Sequence, residues 1–101
     1  MTIPLACDMT AIPSAERENH RRATRRLVAS ASDIQETPDG FAFQLSSDDY
    51  QAAAQFVALE RLCCPFLGFA LEVTPGQGLV WLRIHGPPGA GAFLRFELRL
   101  P

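Results

Sequence analysis

The run Cys63-Cys64-Pro65 determines where a helix has to end. It thereby also determines which residues lie in the last turn of that helix. A proline disfavours helical geometry at the preceding residue, so a helix that enters this run stops near Cys64. Residues 48–64 carry apolar side chains at helical spacing. Glu60, Cys63 and Cys64 follow at i, i+3 and i+4 on the apolar side of that helix. The glutamate is therefore predicted to be half buried beside two sulfur atoms.

The rest of the chain alternates between helix and hairpin signals. Pro38-Asp39-Gly40 is a turn sequence, and the residues around it alternate as in a hairpin with one buried face. The predicted elements are a helix over 14–31, a hairpin over 33–49, the helix over 48–64, a hairpin over 66–86 with its turn at "TPGQG", and a helix within 86–101. This order predicts one α+β domain over 1–101, a four-stranded antiparallel sheet of two hairpins with helices packed on one face.

Helical spacing also assigns residues of the first and last helices to faces. In the first helix, Ala23, Leu27 and Ala31 recur four residues apart, and the same line runs back through His20. His20 is therefore predicted to point toward the core. In the last helix, the residues predicted to face the core are Ala92, Phe93, Phe96 and Leu100.

Composition narrows the classes of partner. Of the 101 residues, 48% are hydrophobic and the net charge is −2, so nothing in the overall balance favours nucleic acid or an anionic membrane. No apolar run approaches the roughly 20 residues that span a bilayer, and no export signal is visible in "MTIPLACDMTAIP". A cytoplasmic location is therefore expected, in which thiols stay reduced without a disulfide framework. Pairing of the hairpins across a homodimer is left open.

Three cysteines and one half-buried carboxylate suggest a metal site. Burial of a carboxylate is costly unless it is protonated, hydrogen-bonded or bound to a cation. Thiolates select soft or borderline ions such as Cu(I), Hg(II) and Zn(II). The predicted ligands are Cys7, Cys63, Cys64 and Glu60, with His20 as an outside candidate and Asp8 or Met9 as further donors beside Cys7. The leading hypothesis is a soft-metal binding or sensing domain that uses copper, mercury or zinc.

Two other interpretations of the same residues stay open. In the first, the protein is a thiol enzyme or redox protein with Cys63 and Cys64 as its reactive pair and Glu60 as general base. A nearby anion argues against it, since the anion raises the pKa of a thiol. In the second, the domain is structural, the cysteines only pack in the core, and Glu60 pairs with Arg61 or an arginine of the first helix.

Three segments, "LACDMTAI", "ALERLCCPFLGFALEV" and "VWLRIHGPPGAGAFL", resemble a family of small bacterial proteins. Similar domains, with a cysteine followed by Glu-x-x-Cys-Cys-x-Phe, are found fused behind the DNA-binding part of some MerR-like, mercury-resistance-type regulators. The resemblance implies a metal or thiol-reactive site at Cys7, Glu60, Cys63 and Cys64. No winged-helix segment accompanies the motif, so only the sensing or sequestering half of such a regulator is expected here.

Overall fold

The computed structural model describes residues 5–76 and 78–101. Residues 1–4 of the predicted extended start, and Gln77 of the predicted "TPGQG" turn, lie outside the described residues. The order helix, hairpin, helix, hairpin, helix is confirmed. The elements are α1 (Arg17–Ser30), β1 (Asp33–Thr37), β2 (Gly40–Leu45), α2 (Tyr50–Cys63), β3 (Gly68–Val73), β4 (Val80–His85) and α3 (Ala90–Glu97). Among these helices, none combines the length and the apolar character that a membrane span requires.

The four strands form one antiparallel sheet in the order β1-β2-β4-β3. Each hairpin pairs its own two strands, and β2 pairs with β4 to join the hairpins within the chain. Phe43 lies opposite Leu82 at the centre of this junction. The predicted α+β class and four-stranded sheet are therefore confirmed, and the two hairpins join without a second copy of the chain.

The helices cover one face of the sheet. Alternate residues of β2 and β4 point to that face and are buried, and α3 packs on β2 while α2 packs on β3. The other face carries partly or fully exposed residues such as Gln44, Trp81 and Arg83. The buried residues of the two central strands that face the helices are Phe41, Phe43, Leu45, Val80, Leu82 and Ile84. Gly40 and Ala42 of β2 are buried as well.

The segment before α1 is held against both long helices. Its Ile12 is fully buried, and the Arg17 side chain donates through Nε to the Ile12 carbonyl at 2.9 Å. The Asp8 N–H donates to the Cys63 carbonyl at 2.8 Å, which satisfies one of the free carbonyls at the end of α2. This backbone bond brings Cys7 to the end of α2.

The predicted face of α3 is partly wrong. Leu100 is buried as predicted, but Phe96 is 82% exposed and Ala92 is also exposed. The helix begins at Ala90, directly after Gly89 with φ 95°, and buries a different line of residues four apart. That line consists of Ala90, Leu94 and Leu98.

Gly40 provides a test of the sheet. A Cβ at Gly40 would clash with the Ile84 carbonyl of the neighbouring strand, whereas a Cβ at Gly91 on α3 meets nothing within 4 Å. We expect Gly40→Ala to lower the free energy of unfolding by about 1–3 kcal/mol, because backbone atoms would have to shift. The matched Gly91→Ala should raise it by up to about 1 kcal/mol through helix propensity. Urea denaturation measures both, and an unchanged midpoint for Gly40→Ala would contradict the strand register.

Candidate functional site

The end of α2 places two thiols together. The helix ends at Cys63, and Cys64 leaves helical geometry with φ −125° and ψ 71°, as the following Pro65 predicts. Backbone bonds fix the turn, from Cys64 N–H to the Glu60 carbonyl at 2.9 Å and from Leu67 N–H to the Cys64 carbonyl at 3.1 Å. Because Cys64 is rotated out of the helix, its Sγ lies 3.5 Å from the Cys63 Sγ.

Glu60 and His20 form a buried hydrogen-bonded pair between α2 and α1. Their relative exposures are 6% and 3%, and Nε2 of His20 lies 2.6 Å from Oε2 of Glu60. The predicted core-facing position of His20 is confirmed, and the partner of Glu60 is this histidine and not an arginine. Nδ1 of His20 is buried without a hydrogen-bond partner among the described residues. A proton on Nε2 and none on Nδ1 satisfies this geometry at the least cost.

The third cysteine reaches the same place from the other end of the sequence. Cys7 and Cys64 are joined as a disulfide, with Cα atoms 4.7 Å apart and a sequence separation of 57 residues. The expectation that all three thiols are reduced is therefore wrong for the state described. That expectation was based on a cytoplasmic location. The pairing of Cys7 with Cys64 instead follows from the fold, because the hydrogen bond from the Asp8 N–H to the Cys63 carbonyl places Cys7 against the end of α2.

The contact between Cys64 and Glu60 distinguishes two redox states. Sγ of Cys64 lies 3.2 Å from Oε1 of Glu60, which is hydrogen-bonding distance for a thiol donor. A sulfur in a disulfide carries no proton, so Cys64 can donate to the carboxylate only after the bond to Cys7 is reduced. Glu60 thus bridges His20 through one oxygen and the reduced Cys64 through the other.

Cys63 remains a free thiol and is 1% exposed. Its Sγ lies 3.5 Å from the backbone carbonyl oxygen of Glu60. Burial, with the Glu60 carboxylate as the next cause, raises the pKa of Cys63 to about 12. Because the thiolate is the nucleophile, Cys63 is not activated in this state.

Four predicted ligands come together at this point. One ligand atom each from Cys7, Glu60, Cys63 and Cys64 lies within 4.8 Å of the others. Thiolates around a tetrahedral ion with Zn–S bonds near 2.3 Å are separated by about 3.8 Å, close to the Cys63 to Cys64 spacing. Cys7 and Cys64 would have to move apart, which reduction of their bond permits. The cluster therefore has the donor set and the size of a metal site.

The other predicted donors lie outside the cluster. His20 reaches it through Glu60. Asp8 is exposed. Its carboxylate accepts hydrogen bonds from the hydroxyl and from the backbone N–H of Thr10, which lower the pKa of Asp8. Met9 is partly buried and lines an adjacent cleft.

That cleft has a volume of about 230 Å³ and borders Cys63, His20 and Glu60. It lies between the segment before α1, helix α1, the end of α2 and the end of α3. Its remaining lining residues are Met9, Arg21, Thr24, Arg25, Glu97, Leu98 and Arg99. Arg21, Arg25 and Arg99 are exposed, and the sequence pattern did not predict that they border a cleft beside the sulfur cluster.

No protein-family profile, curated sequence or solved structure matches this chain. The resemblance to domains fused to MerR-like regulators therefore stays a prediction. The functional site is inferred from the geometry of its residues in this structure.

Alkylation tests the state of Cys63. In the oxidised protein, we expect the rate of labelling by iodoacetamide to rise about tenfold per pH unit without levelling off below about pH 11, because only the thiolate reacts. Unfolding in urea should return the profile to an ordinary thiol that levels off near about pH 8.5. Mass spectrometry of the labelled peptide gives both profiles. A folded-state plateau near neutral pH would instead show an activated nucleophile.

Reduction tests the Cys7–Cys64 bond. The bond closes a loop with a sequence separation of 57 residues. We expect a reducing agent to lower the free energy of unfolding of the metal-free protein by about 4 kcal/mol, through the added freedom of the unfolded chain. Cys7→Ser should be as unstable as the reduced protein and insensitive to the reductant. Equal unfolding curves for the wild type with and without reductant would contradict the pairing.

Proposed function

We propose that the reduced protein binds one soft-metal ion, Cu(I), Hg(II) or Zn(II), through the thiolates of Cys7, Cys63 and Cys64. The observation that supports this function is the gathering of three sulfurs and a carboxylate within 4.8 Å. Such sulfur-rich sets suit soft and borderline ions. Thiolate ligands also require a reducing compartment such as the cytoplasm, where we place this function.

Glu60 completes the coordination as a fourth ligand or as the partner of a bound thiolate. A cation beside it would offset the cost of burying its carboxylate. His20 holds Oε2 of Glu60 in place, and hydrogen-bonded partners of this kind orient metal ligands and tune their affinity. We assign His20 this orienting role, because its Nε2 is already occupied by Glu60.

The proposed role is binding or sensing and not catalysis. With Glu60 as the fourth ligand, four protein donors surround the ion and leave no coordination position for a substrate, and closed sites of this kind are structural. Cys63 and Cys64 are 1% and 0% exposed, so bulk water has little access to their sulfurs. Sensing in the manner of a MerR-like regulator stays a prediction from the resemblance.

Metal titration of the reduced protein tests the proposal. Under anaerobic conditions we expect one equivalent of Cu(I), Hg(II) or Zn(II) to bind and to protect all three thiols from a chromogenic thiol reagent. Cys7→Ser should weaken the affinity, measured against a competing chelator, by more than about a hundredfold, since loss of a ligand exceeds loss of a second-shell partner.

The neighbouring Asp8→Asn is the matched control. It alters the same segment at an exposed residue outside the cluster, so its affinity should equal that of the wild type. Unchanged affinity in Cys7→Ser would remove Cys7 from the site. Absence of bound metal in the reduced wild type would overturn the proposed function.

A second candidate function is thiol-based redox sensing, which the Cys7–Cys64 bond favours. The bonded pair is not Cys63 and Cys64, as the sequence suggested, because Cys63 is a free thiol. Forming that bond takes two protons and two electrons from the pair, so it needs a two-electron oxidant such as a disulfide or a peroxide. It also removes two of the three proposed ligands. The same titration on the oxidised protein should therefore show no binding by the cluster. Equal binding in both states would exclude a redox switch.

A further inference from the structure

The cleft beside Cys63 has a cationic mouth. Arg21 and Arg25 stand one turn apart on α1, and Arg99 approaches from the end of α3. All three are exposed, and the exposed carboxylate that lines the same cleft is Glu97. Within residues 5–76 and 78–101, Arg25 and Arg99 have no ion-pair partner within 4 Å.

Arg21 makes only a long contact, with Glu18 at 3.6 Å on the helix surface. Glu18 shares its carboxylate with Arg22 at 3.8 Å, and exposed pairs at such distances contribute little to stability. The guanidinium groups are therefore available to a ligand at the mouth of the cleft.

Arg99 occupies a position that normally takes glycine. The end of α3 is a Schellman motif, in which Leu100 N–H donates to the Arg95 carbonyl at 2.9 Å and Arg99 N–H to the Phe96 carbonyl at 3.3 Å. Arg99 itself is left-handed, with φ 54°, and is the one non-glycine residue with positive φ in the described chain. Glycine would adopt this geometry without steric cost. An arginine here stabilises neither the turn nor an ion pair, but it carries a third charge to the cleft.

The floor of the cleft differs from its mouth. Cys63 lies there as a buried thiol, with Glu60 and His20 beside it. A ligand that suits both the thiol at the floor and the arginines at the mouth has a metal-binding sulfur at one end and a carboxylate at the other. Arginine recognises carboxylates through paired hydrogen bonds.

We infer that the cleft receives the metal ion as a complex with a small, carboxylate-bearing thiol, whose carboxylates are held by Arg21, Arg25 and Arg99. This inference rests on the proposed function and adds the chemical class of the donor. The metal is cargo that passes from the donor sulfur to the cysteine sulfurs.

The transfer is a ligand exchange without change of oxidation state. Cys63 Sγ forms a bond to the metal as the bond between metal and donor sulfur breaks. The proton of the Cys63 thiol passes to the departing thiolate, so the donor leaves as a neutral thiol group. For a complex with two donor thiolates, a second exchange at Cys64 of the reduced protein releases the second donor as a thiol. Cys7 then binds the ion as its thiol proton passes to solvent water.

Donor charge tests the inference directly. Hg(II) is supplied to the reduced protein either as its glutathione complex, which is net negative, or as its 2-mercaptoethanol complex, which is uncharged. Stopped-flow absorbance of the mercury–thiolate bands follows each transfer. At low salt, we expect Hg(II) to pass from the glutathione complex to the protein about tenfold faster than from the 2-mercaptoethanol complex. This ratio of rates, the preference for the anionic donor, should fall at high salt because salt screens the arginine charges.

Two variants and a control locate the effect. Arg25→Ala and Arg99→Gly should lose most of the preference for the glutathione complex. Arg26→Ala should keep it, because Arg26 is the next residue on α1 and lines a different cleft. Arg99→Gly should also raise the midpoint of thermal unfolding, as the left-handed strain is relieved, so a loss of preference in this variant cannot come from unfolding.

The outcomes separate the two proposals. Transfer from both donors at equal rates, or a preference that Arg26→Ala loses as fully as Arg25→Ala, would overturn the docking of an anionic donor and leave the metal site intact. Failure of the wild type to accept Hg(II) from either donor would overturn the proposed function, and the inference with it. A charge preference carried by Arg25 and Arg99 would support both.

Discussion

The hydrogen bond between His20 and Glu60 is the interaction on which the site depends. These two residues are the charged or ionisable side chains other than cysteine that are buried in the described chain. Their bond joins α1 to α2 and turns the second carboxylate oxygen toward Cys64. Removing either partner would leave a buried polar group unsatisfied, at a cost of about 1–3 kcal/mol. The pair therefore stabilises the packing of two helices while it holds a carboxyl group beside three sulfurs.

The sulfur atoms have two competing uses in this arrangement. In the oxidised state Cys64 is bonded to Cys7, and Cys63 stands alone as a protonated thiol. The same three sulfurs and the Glu60 carboxylate lie within 4.8 Å of one another, which is the observation behind the metal site proposed for the reduced state. Both states depend on the backbone bond from Asp8 to the Cys63 carbonyl, because it fixes the distance between segments far apart in sequence. The disulfide, and the metal site proposed for the reduced protein, would tie the segment around Cys7 to α2 in alternative ways.

Local pattern predicted the parts of the structure that depend on neighbours in sequence. The i, i+3, i+4 spacing placed Glu60, Cys63 and Cys64 together, and Pro65 correctly ended the helix at Cys63. The line of α1 through Leu27 correctly turned His20 inward. Periodicity could not show which residue His20 meets, since that contact depends on how two helices pack. It also could not choose a partner for Cys7 or show that β2 pairs with β4.

The face of α3 was missed for a different reason. Its apolar residues are dense enough to allow two registers, and the start at Ala90 selects the one that exposes Phe96. The position of Arg99 in a left-handed turn depends equally on where that helix ends. The residues of α3 that were predicted wrongly or missed therefore depend on where the helix begins and ends. A shift of the helix start by one residue rotates a different set of side chains toward the core.

The outer face of the sheet gives the molecule an optical property. Trp81, the one tryptophan of the chain, lies on the side away from the helices, with the Arg83 guanidinium 5.4 Å from the centre of its ring. The sulfur cluster lies on the helical side, so the sheet separates the indole from it. Intrinsic tryptophan emission is consequently a reporter of the sheet and of global unfolding. The metal binding proposed for the cluster would be followed through sulfur absorbance instead.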